Sequence, residues 1–363
     1  MSQTQLTFKR VLVNRAIQGE GVRPSKSHFR TITVTEPVPE LQDNEVFLKN
    51  LSFGHDTYII YNFPEGETES RVRGYALSRV LDSKNPKLPK GSLIFAPSYW
   101  EEYTHLFEPF FIRQAFPVDQ HKFYDKYKDR IPLATYNGIL GMSGFTGWGS
   151  LEVSGGDLKP GQVIYIPSAA GTLGQLVGQL LKRKGLKVIG SAGSQAKIDY
   201  LTQELGFDFA FNYKEHQDNK KAILQEGLAK IGAPGGGLDI FYDLVGDETV
   251  DVALELLNPR GRVIAVGFLS NKLLEDPLYG IRQYVQILFK ELTVVGHAVW
   301  EHFELLPRFF EEVVPLVAEG QIKYRENVLE QGTLEQVSDS YIDFIEGKYT
   351  GKVSVNLAST KEE

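Results

Sequence analysis

The stretch at 163–178, VIYIPSAAGTLGQLVG, limits the possible folds of this chain more than any other feature. A short apolar run breaks into glycines and then resumes with helical spacing, which predicts a strand, a tight turn and the start of a helix. Gly171 permits a phosphate to approach the backbone, Gly174 removes bulk where the helix begins, and Gly178 allows the helix to pack near the strand. A dinucleotide pyrophosphate would then face the amides at the helix N-terminus. An isolated glycine pattern also occurs in ordinary turns, so the rest of the chain decides its meaning.

Apolar strands alternate with amphipathic helices after this turn, as in a parallel sheet covered by helices on both faces. Further strands are predicted at 187–190, 209–211, 238–243, 262–266 and 292–295. Together with the strand at 163 they make six. The sequence therefore predicts an α/β fold with a doubly wound Rossmann sheet.

The residues after the second predicted strand bear on which dinucleotide binds. A chain that binds NAD usually has an acidic side chain there, on the adenine ribose hydroxyls. Here the sequence is GSAGSQAK at 190–197, with no carboxylate to repel a 2′-phosphate. Ser194 can donate a hydrogen bond, and Lys197 adds a positive charge within the next helical turn. NADP(H) is the predicted cofactor; a solvated lysine and a serine N-cap are the alternative interpretation.

Composition excludes several classes of protein. A chain of 363 residues is longer than one comfortable domain, so a second domain is expected. The net charge of −7 is spread along the chain and predicts neither a nucleic-acid nor a membrane partner. The absence of cysteine excludes disulfides, Cys-ligated zinc and thiol nucleophiles. The sequence shows no long apolar segment and no secretory pattern, so we expect a soluble, cytoplasmic protein.

The part before about residue 130 is rich in β-branched and aromatic residues that Pro and Gly interrupt. Short strands separated by turns predict a small β-rich domain. The C-terminal segment 351–357 is a further predicted strand, and we expect it to return to this domain. The predicted organisation is therefore a β-rich substrate domain at 1–130 and 316–363, with the Rossmann domain at 131–315.

Several motifs along nearly the whole chain resemble those of one family. They are WEEY at 100–103, a predicted helix GILGMSGFT at 138–146, the glycine turn, Gly193-Ser194 followed by Lys197, FNYK at 211–214, and Gly351-Lys352. The chain resembles zinc-independent medium-chain dehydrogenases/reductases, nearest the branch of alkenal/one double-bond reductases and prostaglandin reductases (leukotriene B4 dehydrogenase-like). The resemblance implies a GroES-like β-rich domain, hydride transfer from NADPH to the β-carbon of an enal or enone, and proton delivery to the α-carbon.

The resemblance also implies which residues bind the cofactor. They are Met142, Gly144 and Thr146 at the nicotinamide; Ala170, Gly171, Thr172, Leu173 and Gly174 at the pyrophosphate; Gly193, Ser194, Lys197 and Tyr213 at the adenosine end with its 2′-phosphate; and Val266, Gly267 and Phe268 near the carboxamide. A tyrosine hydroxyl suits a phosphate because it donates a hydrogen bond to a charged acceptor. An aromatic residue packed at a sheet edge is the alternative interpretation of Tyr213.

The chain departs from the branch pattern mainly on the substrate side. Asn271-Lys272 stands where the branch usually has tyrosine, and Tyr349 stands where asparagine is usual before Gly-Lys. Tyr58 is the candidate for a polar contact to the substrate, with a core tyrosine as the alternative. Lys272 is the second catalytic candidate, in a mobile lid predicted at about 268–286.

The histidines are interpreted as structural. His55 adjoins Tyr58 in sequence, but a lone histidine is more often a hydrogen-bonding core residue than a proton relay. His297 and His302 lack the spacing to cysteine or paired carboxylates that zinc requires, so no metal site is predicted.

Two classes of function stay open at this point. One is an NADPH-dependent reductase of activated C=C bonds acting on a small enal, enone or quinone, with quinone oxidoreduction as a close relative. The other is a weakly catalytic NADPH-binding sensor or partner-binding protein, because fold alone does not determine activity. The apolar strand predicted at 292–295, at the edge of the Rossmann sheet, predicts a homodimer joined edge to edge.

Overall fold

Internal contacts divide the computed structural model into two units. It describes residues 4–14, 23–63, 69–268 and 279–358. The β-rich unit comprises Met1–Ser143, Leu306–Glu319 and Glu326–Glu363, and the Rossmann unit comprises Gly144–Leu305 and Gly320–Arg325. The predicted domain boundaries at 130/131 and 315/316 stay a prediction.

The strands are numbered along the chain. The first eight are β1 (Gln5–Val13), β2 (Phe29–Pro37), β3 (Val46–Gly54), β4 (Ser70–Arg71), β5 (Arg73–Ser83), β6 (Leu93–Tyr99), β7 (Tyr103–Leu106) and β8 (Phe116–Pro117). The next eight are β9 (Val163–Ile166), β10 (Lys187–Ala192), β11 (Phe209–Asn212), β12 (Leu238–Asp243), β13 (Leu257–Ala265), β14 (Thr293–Gly296), β15 (Glu326–Gly332) and β16 (Lys352–Leu357).

The helices are numbered in the same way. The α-helices are α1 (Pro109–Ile112), α2 (Tyr124–Tyr127), α3 (Met142–Ser154), α4 (Thr172–Arg183), α5 (Gln195–Asp199), α6 (Lys220–Lys230), α7 (Thr249–Leu256), α8 (Tyr284–Phe289), α9 (Leu306–Ala318) and α10 (Leu334–Ile345). A π-helical turn, Tyr200–Glu204, continues α5. Short 3-10 helices lie at Lys26–His28, Thr57–Asn62, Leu133–Asn137, Gln217–Asn219, Pro234–Gly236, Val299–Glu301 and Phe303–Leu305. Within the described ranges, no helix has the length and apolar character needed to cross a membrane.

The described residues of the β-rich unit form two sheets. In the smaller sheet β1 lies between β2 and β4; the larger sheet has the order β15-β16-β3-β5-β6-β8, with β7 also paired to β3. The C-terminal strand β16 runs antiparallel to β3, with Ser354 opposite Gly54. Continued by two residues, this register places Lys352 opposite Asp56. The predicted return of the C-terminal strand therefore brings its first residue beside the segment that follows β3.

The Rossmann unit has the predicted six-stranded sheet. Its order is β11-β10-β9-β12-β13-β14 with every pair parallel, so the order reverses between β9 and β12. Neighbouring residues of β9 point to opposite faces: Ile164 belongs to the core that contains Val177 of α4, and Tyr165 to the core that contains Leu254 of α7. Helices cover both faces, which explains why the strands read as continuous apolar runs.

One predicted helix begins later than the sequence suggested. Residues 138–141 are not helical, and α3 begins at Met142. Gly138, with a ψ of −111°, ends the preceding 3-10 helix. A Cβ at Gly141 would lie 3.0 Å from the carbonyl carbon of Asn137. The two glycines therefore form a tight turn before the helix, which apolar spacing alone did not reveal.

Candidate functional site

The glycine turn after β9 holds the start of α4 against the end of the strand. Gly171 is the N-cap residue and α4 begins at Thr172. A Cβ on Gly174 would overlap the carbonyl oxygen of Ala169 and lie 2.6 Å from its Cα. Ser168 adopts a left-handed φ of 53° where the chain reverses. The structure therefore requires glycine at 174 for this close approach.

The first turn of α4 presents backbone amides that can bind an anion. Gly171 has no side chain that could cap them, and no side-chain cap bond forms there. The first N–H groups of a helix have no partner within the helix, and the helix dipole favours negative charge beside them. Residues 170–174, predicted to contact the pyrophosphate, all lie in this turn and first helical turn. The cradle fits a dinucleotide diphosphate.

Gln175 supports this turn from within the unit, although no motif in the sequence indicates it. Its side chain is fully buried. Its Nε2 donates to the Ala170 carbonyl at 2.9 Å, and its Oε1 accepts from the Tyr200 hydroxyl at 2.7 Å and the Arg325 N–H at 2.8 Å. A glutamine on the apolar side of α4 could have indicated this role, because a buried amide needs hydrogen-bond partners.

The adenosine-end residues meet where β10 and β11 end. These strands pair in register, with Ala192 opposite Asn212, so Gly193 and Tyr213 leave the sheet side by side. A Cβ on Gly193 would lie 3.2 Å from Tyr213 Cε1 and 3.0 Å from Lys214 Cε. The structure thus brings Gly193 and Tyr213 together and adds Lys214 of the FNYK motif, for which the sequence indicates no role.

Ser194 and Lys197 lie on the helix that follows Gly193. Ser194 is the N-cap residue of α5, but its side chain makes no cap hydrogen bond. Lys197 is partly buried, and burial together with the positive charge of Lys214 lowers the pKa of its ammonium group. Several donors and cations therefore gather at one corner of the sheet.

The loops after β12 and β13 pack closely and contain the residues predicted at the carboxamide. The N–H groups of Val266 and Gly267 donate to the main-chain oxygen of Asp243 at 2.9 and 3.0 Å. A Cβ on Gly267 would lie 2.6 Å from the carbonyl carbon of Leu244, so this approach requires glycine. Phe268 follows with 49% of its surface exposed.

The Asp243 carboxylate organises its own loop. It accepts hydrogen bonds from the N–H groups of Val245 and Gly246, both at 2.9 Å. Burial raises the pKa of Asp243 to about 6 even though these bonds favour the charged form. The carboxylate is committed to backbone donors, which indicates a structural role.

The residues predicted at the nicotinamide begin α3. Met142 and Thr146 are four residues apart and so lie on one face of that helix. Met142 and Gly144 are buried, and Thr146 is partly exposed.

A buried ion pair in the β-rich unit adjoins Tyr58. Lys352 Nζ lies 2.7 Å from Asp56 Oδ1, and Lys352 has 1% of its surface exposed. The Ser143 hydroxyl donates to the same carboxylate oxygen at 2.5 Å. Lys352 belongs to the Gly351-Lys352 motif, but the sequence gives no indication of its partner.

The Tyr58 hydroxyl is buried and lies near the Asp56 carboxylate. Its ring packs edge-on against Tyr75, with centroids 5.8 Å apart. Burial, and then the negative charge of Asp56, raise the pKa of Tyr58 well above its usual value. The phenol therefore stays protonated at neutral pH, and its O–H can donate a hydrogen bond.

His55 is placed as a core residue. It is fully buried, its Nε2 lies 2.7 Å from the Ser340 hydroxyl, and its ring packs against Trp100 and Tyr341. Burial and the charge of Lys352 lower the pKa of His55 to about 3, so it stays neutral. His297 and His302 stack with centroids 5.2 Å apart.

Two predictions fall on or near residues outside the described ranges. Lys272, the second catalytic candidate, lies in 269–278, as does most of the predicted lid. Of that segment, Phe268 and 279–286 are described, and α8 begins within it at Tyr284.

Comparisons with known proteins agree with this architecture. A family model described as zinc-binding dehydrogenase matches residues 172–319. (+)-Pulegone reductase from Mentha piperita is 32% identical over 360 residues, which cover 96% of this chain and 98% of the relative. The NADP(+)-dependent 2-alkenal reductase from Nicotiana tabacum is 32% identical over 366 residues, or 98% of each chain. The fold also matches the crystal structure of CurA in complex with NADPH from Vibrio vulnificus, with a TM-score of 0.75, 24% identity, and coverage of 96% and 99%.

The chain is therefore a medium-chain dehydrogenase/reductase. Within that family it belongs to the zinc-independent branch of alkenal and prostaglandin reductases. The predicted fold class, NADP-dependent enzyme class and NADP(H) cofactor are confirmed. The roles of individual site residues stay predictions.

Proposed function

We propose that the protein is an NADPH-dependent reductase of activated C=C bonds in small α,β-unsaturated aldehydes and ketones. The two relatives named as pulegone reductase and 2-alkenal reductase support this function, because their similarity extends over both units. Within this chain, the glycine cradle at the start of α4 is the observation that carries the proposal. Bound NADPH supplies the hydride, and the protein positions the reactants and stabilises developing charge.

The cofactor would be held along one edge of the Rossmann sheet. Residues 170–174 would bind the pyrophosphate, and Lys197 with Tyr213 would bind the 2′-phosphate. Gly144, Thr146 and residues 266–268, all in the Rossmann unit, would contact the nicotinamide. The support is that the Rossmann residues among these follow the carboxyl ends of β9, β10, β11 and β13, which meet at a single edge of a parallel sheet.

Tyr58 would donate a hydrogen bond to the carbonyl oxygen of the acceptor. Negative charge develops on that oxygen as hydride reaches the β-carbon, so a donor already in place lowers the barrier. The position of the buried hydroxyl beside the Asp56 carboxylate supports this role, since that charge keeps the O–H protonated and able to donate. The pKa raised by burial also keeps the phenol a donor across the neutral range.

Tyr58→Phe is expected to lower kcat/KM for enals and enones by roughly 10- to 100-fold, because it removes the donor and keeps the ring. NADPH affinity should not change. Steady-state kinetics and NADPH titration measure the two effects. Tyr75→Phe is the matched control, since its hydroxyl already donates to Gln114. Unchanged kcat/KM in Tyr58→Phe would mean that Tyr58 is only a packing residue.

Acceptor kinetics test the proposed reaction directly. Purified protein is mixed with NADPH and a panel of short enals, cyclic enones and quinones, and absorbance at the nicotinamide band is followed. Turnover of enals and enones is the expected result. Turnover of quinones alone would identify a quinone oxidoreductase, and NADPH binding with no turnover would favour a sensor or partner-binding protein.

We also infer a homodimer. The strand β14 pairs only with β13 among the described strands, and Val294 on it is 49% exposed. The adjacent helix α8 exposes Tyr284, Leu288 and Phe289 by 69%, 71% and 79%. An unpaired edge beside large exposed apolar side chains supports pairing with a second copy across a twofold axis.

Leu288→Glu is expected to weaken this dimer, because it places a charge within the apolar surface that would be buried. Light scattering at micromolar concentration should report a dimer for the unmodified chain and a shift towards monomer for the variant. Gln225→Glu on α6 adds the same charge elsewhere and should leave the dimer intact. A monomeric unmodified chain would contradict the proposal.

A soluble, cytoplasmic protein is the localisation we infer. The net charge of −7 and the mean hydropathy of −0.21 support it. Fractionation of cells that express the full chain tests this inference.

A further inference from the structure

Lys214 lies at the corner of the Rossmann sheet where β10 and β11 end. It is exposed and follows Tyr213 directly. Its side chain nevertheless runs back along the sheet, since its Cε lies 3.0 Å from where a Cβ of Gly193 would be. Because residue 193 is glycine, the Lys214 side chain can occupy this space. The geometry aims a second cation at the end of β10.

A second observation concerns the charges at this corner. Lys197, in the first turn of α5, is close enough to Lys214 that the positive charge of Lys214 lowers its pKa, after the larger effect of burial. Two carboxylates near this corner are each hydrogen-bonded to a side-chain amide. Glu215 accepts from Asn212 Nδ2 at 2.6 Å, and Asp199 accepts from Gln195 Nε2 at 2.8 Å. Two ammonium groups that repel each other favour an anion between them.

We propose that Lys214, acting together with Lys197, contacts the adenosine 2′-phosphate and contributes to the selection of NADPH over NADH. This inference rests on the proposed function, since it takes NADP(H) as the cofactor. A phosphate monoester carries close to two negative charges at neutral pH, so a single lysine would neutralise only about half of it. A second lysine matches the remaining charge. NADH has a hydroxyl at that position and would bring no negative charge to the two lysines.

Titration of three variants with NADPH and NADH tests this role. Lys214→Gln is expected to raise the Kd for NADPH by roughly tenfold and to leave the Kd for NADH unchanged or slightly lower. Lys214→Arg keeps the charge and should retain most of the NADPH affinity. Lys159→Gln removes an exposed lysine that pairs with Asp157 before β9, and it should affect neither Kd.

A spectroscopic measurement separates a phosphate contact from a general electrostatic effect. The ³¹P signal of the 2′-phosphate in bound NADP⁺ is followed against pH. Neighbouring cations should lower the pKa of that phosphate below its value in free NADP⁺. In Lys214→Gln the pKa should rise part of the way back to the free value. Lys197→Ala should also raise this pKa, since both lysines would contact the same phosphate.

The outcomes distinguish this inference from the proposed function. If the unmodified chain binds NADH as tightly as NADPH, the cofactor assignment itself fails. If the chain selects NADPH, but Lys214→Gln keeps both the Kd ratio and the ³¹P titration, Lys214 is an ordinary surface lysine and the inference is overturned. Thermal unfolding of each variant checks that the fold is retained, as expected for an exposed position.

Discussion

Gly174→Val is expected to reduce NADPH affinity by at least roughly 100-fold. The added side chain would overlap the carbonyl oxygen of Ala169 and force the first turn of α4 away from β9. Each hydrogen bond from an amide to a charged phosphate contributes about 1.5–3 kcal/mol, so displacing two amides accounts for the loss.

Gly174→Ala makes the test sharper. Its Cβ alone would lie 2.6 Å from the Ala169 Cα, so alanine should impair binding nearly as much as valine. Gly296→Ala on β14 is the matched control, because nothing lies within 4 Å of the added atom. Fluorescence titration with NADPH gives the Kd, and circular dichroism confirms folding. Affinity within twofold of the unmodified chain in Gly174→Ala would contradict the assignment of the cradle.

The Rossmann sheet could be predicted because the sequence signals for its strands and turns lie within short segments of the chain. Each strand is a short apolar run bounded by turn residues, and parallel strands with intervening helices follow one connection rule. The positions of Gly171, Gly174 and Lys197 then follow from their distance to the strand ends. The start of α3 was harder to predict from the sequence. Gly138 and Gly141 form a turn through close backbone contacts with preceding residues, and the spacing of apolar residues does not indicate such contacts.

The polar pairings within the two units could not be predicted from the sequence. Asp56 and Lys352 are 296 positions apart and meet only because β16 returns to β3. The position of the Lys214 side chain beside Gly193 likewise depends on the register of β10 and β11. Sequence patterns indicate which faces are buried, whereas the identity of a partner depends on topology and register.

The Asp56–Lys352 pair leads to the largest expected effect on stability. Both groups are buried, and Lys352→Met would leave the Asp56 carboxylate without its cation. Removing one member of a buried pair costs about 3–5 kcal/mol, which corresponds to a fall of roughly 10 °C in the midpoint of thermal unfolding. Asp56→Asn should also destabilise the protein, because it leaves the Lys352 ammonium buried and unpaired.

The double variant Asp56→Asn/Lys352→Met shows whether the effect comes from charge. It contains neither charge, and the new asparagine oxygen can still accept from Ser143, so it should be more stable than either single variant. Lys348→Met is the matched control: Lys348 pairs with Asp343 and Glu346 at the surface, where solvent screens the charges, and its loss should leave the midpoint nearly unchanged. Calorimetry of the four proteins gives the coupling between Asp56 and Lys352. Strictly additive shifts would mean that the two side chains contribute through packing alone, and that the ion pair does not hold the end of β3 to β16.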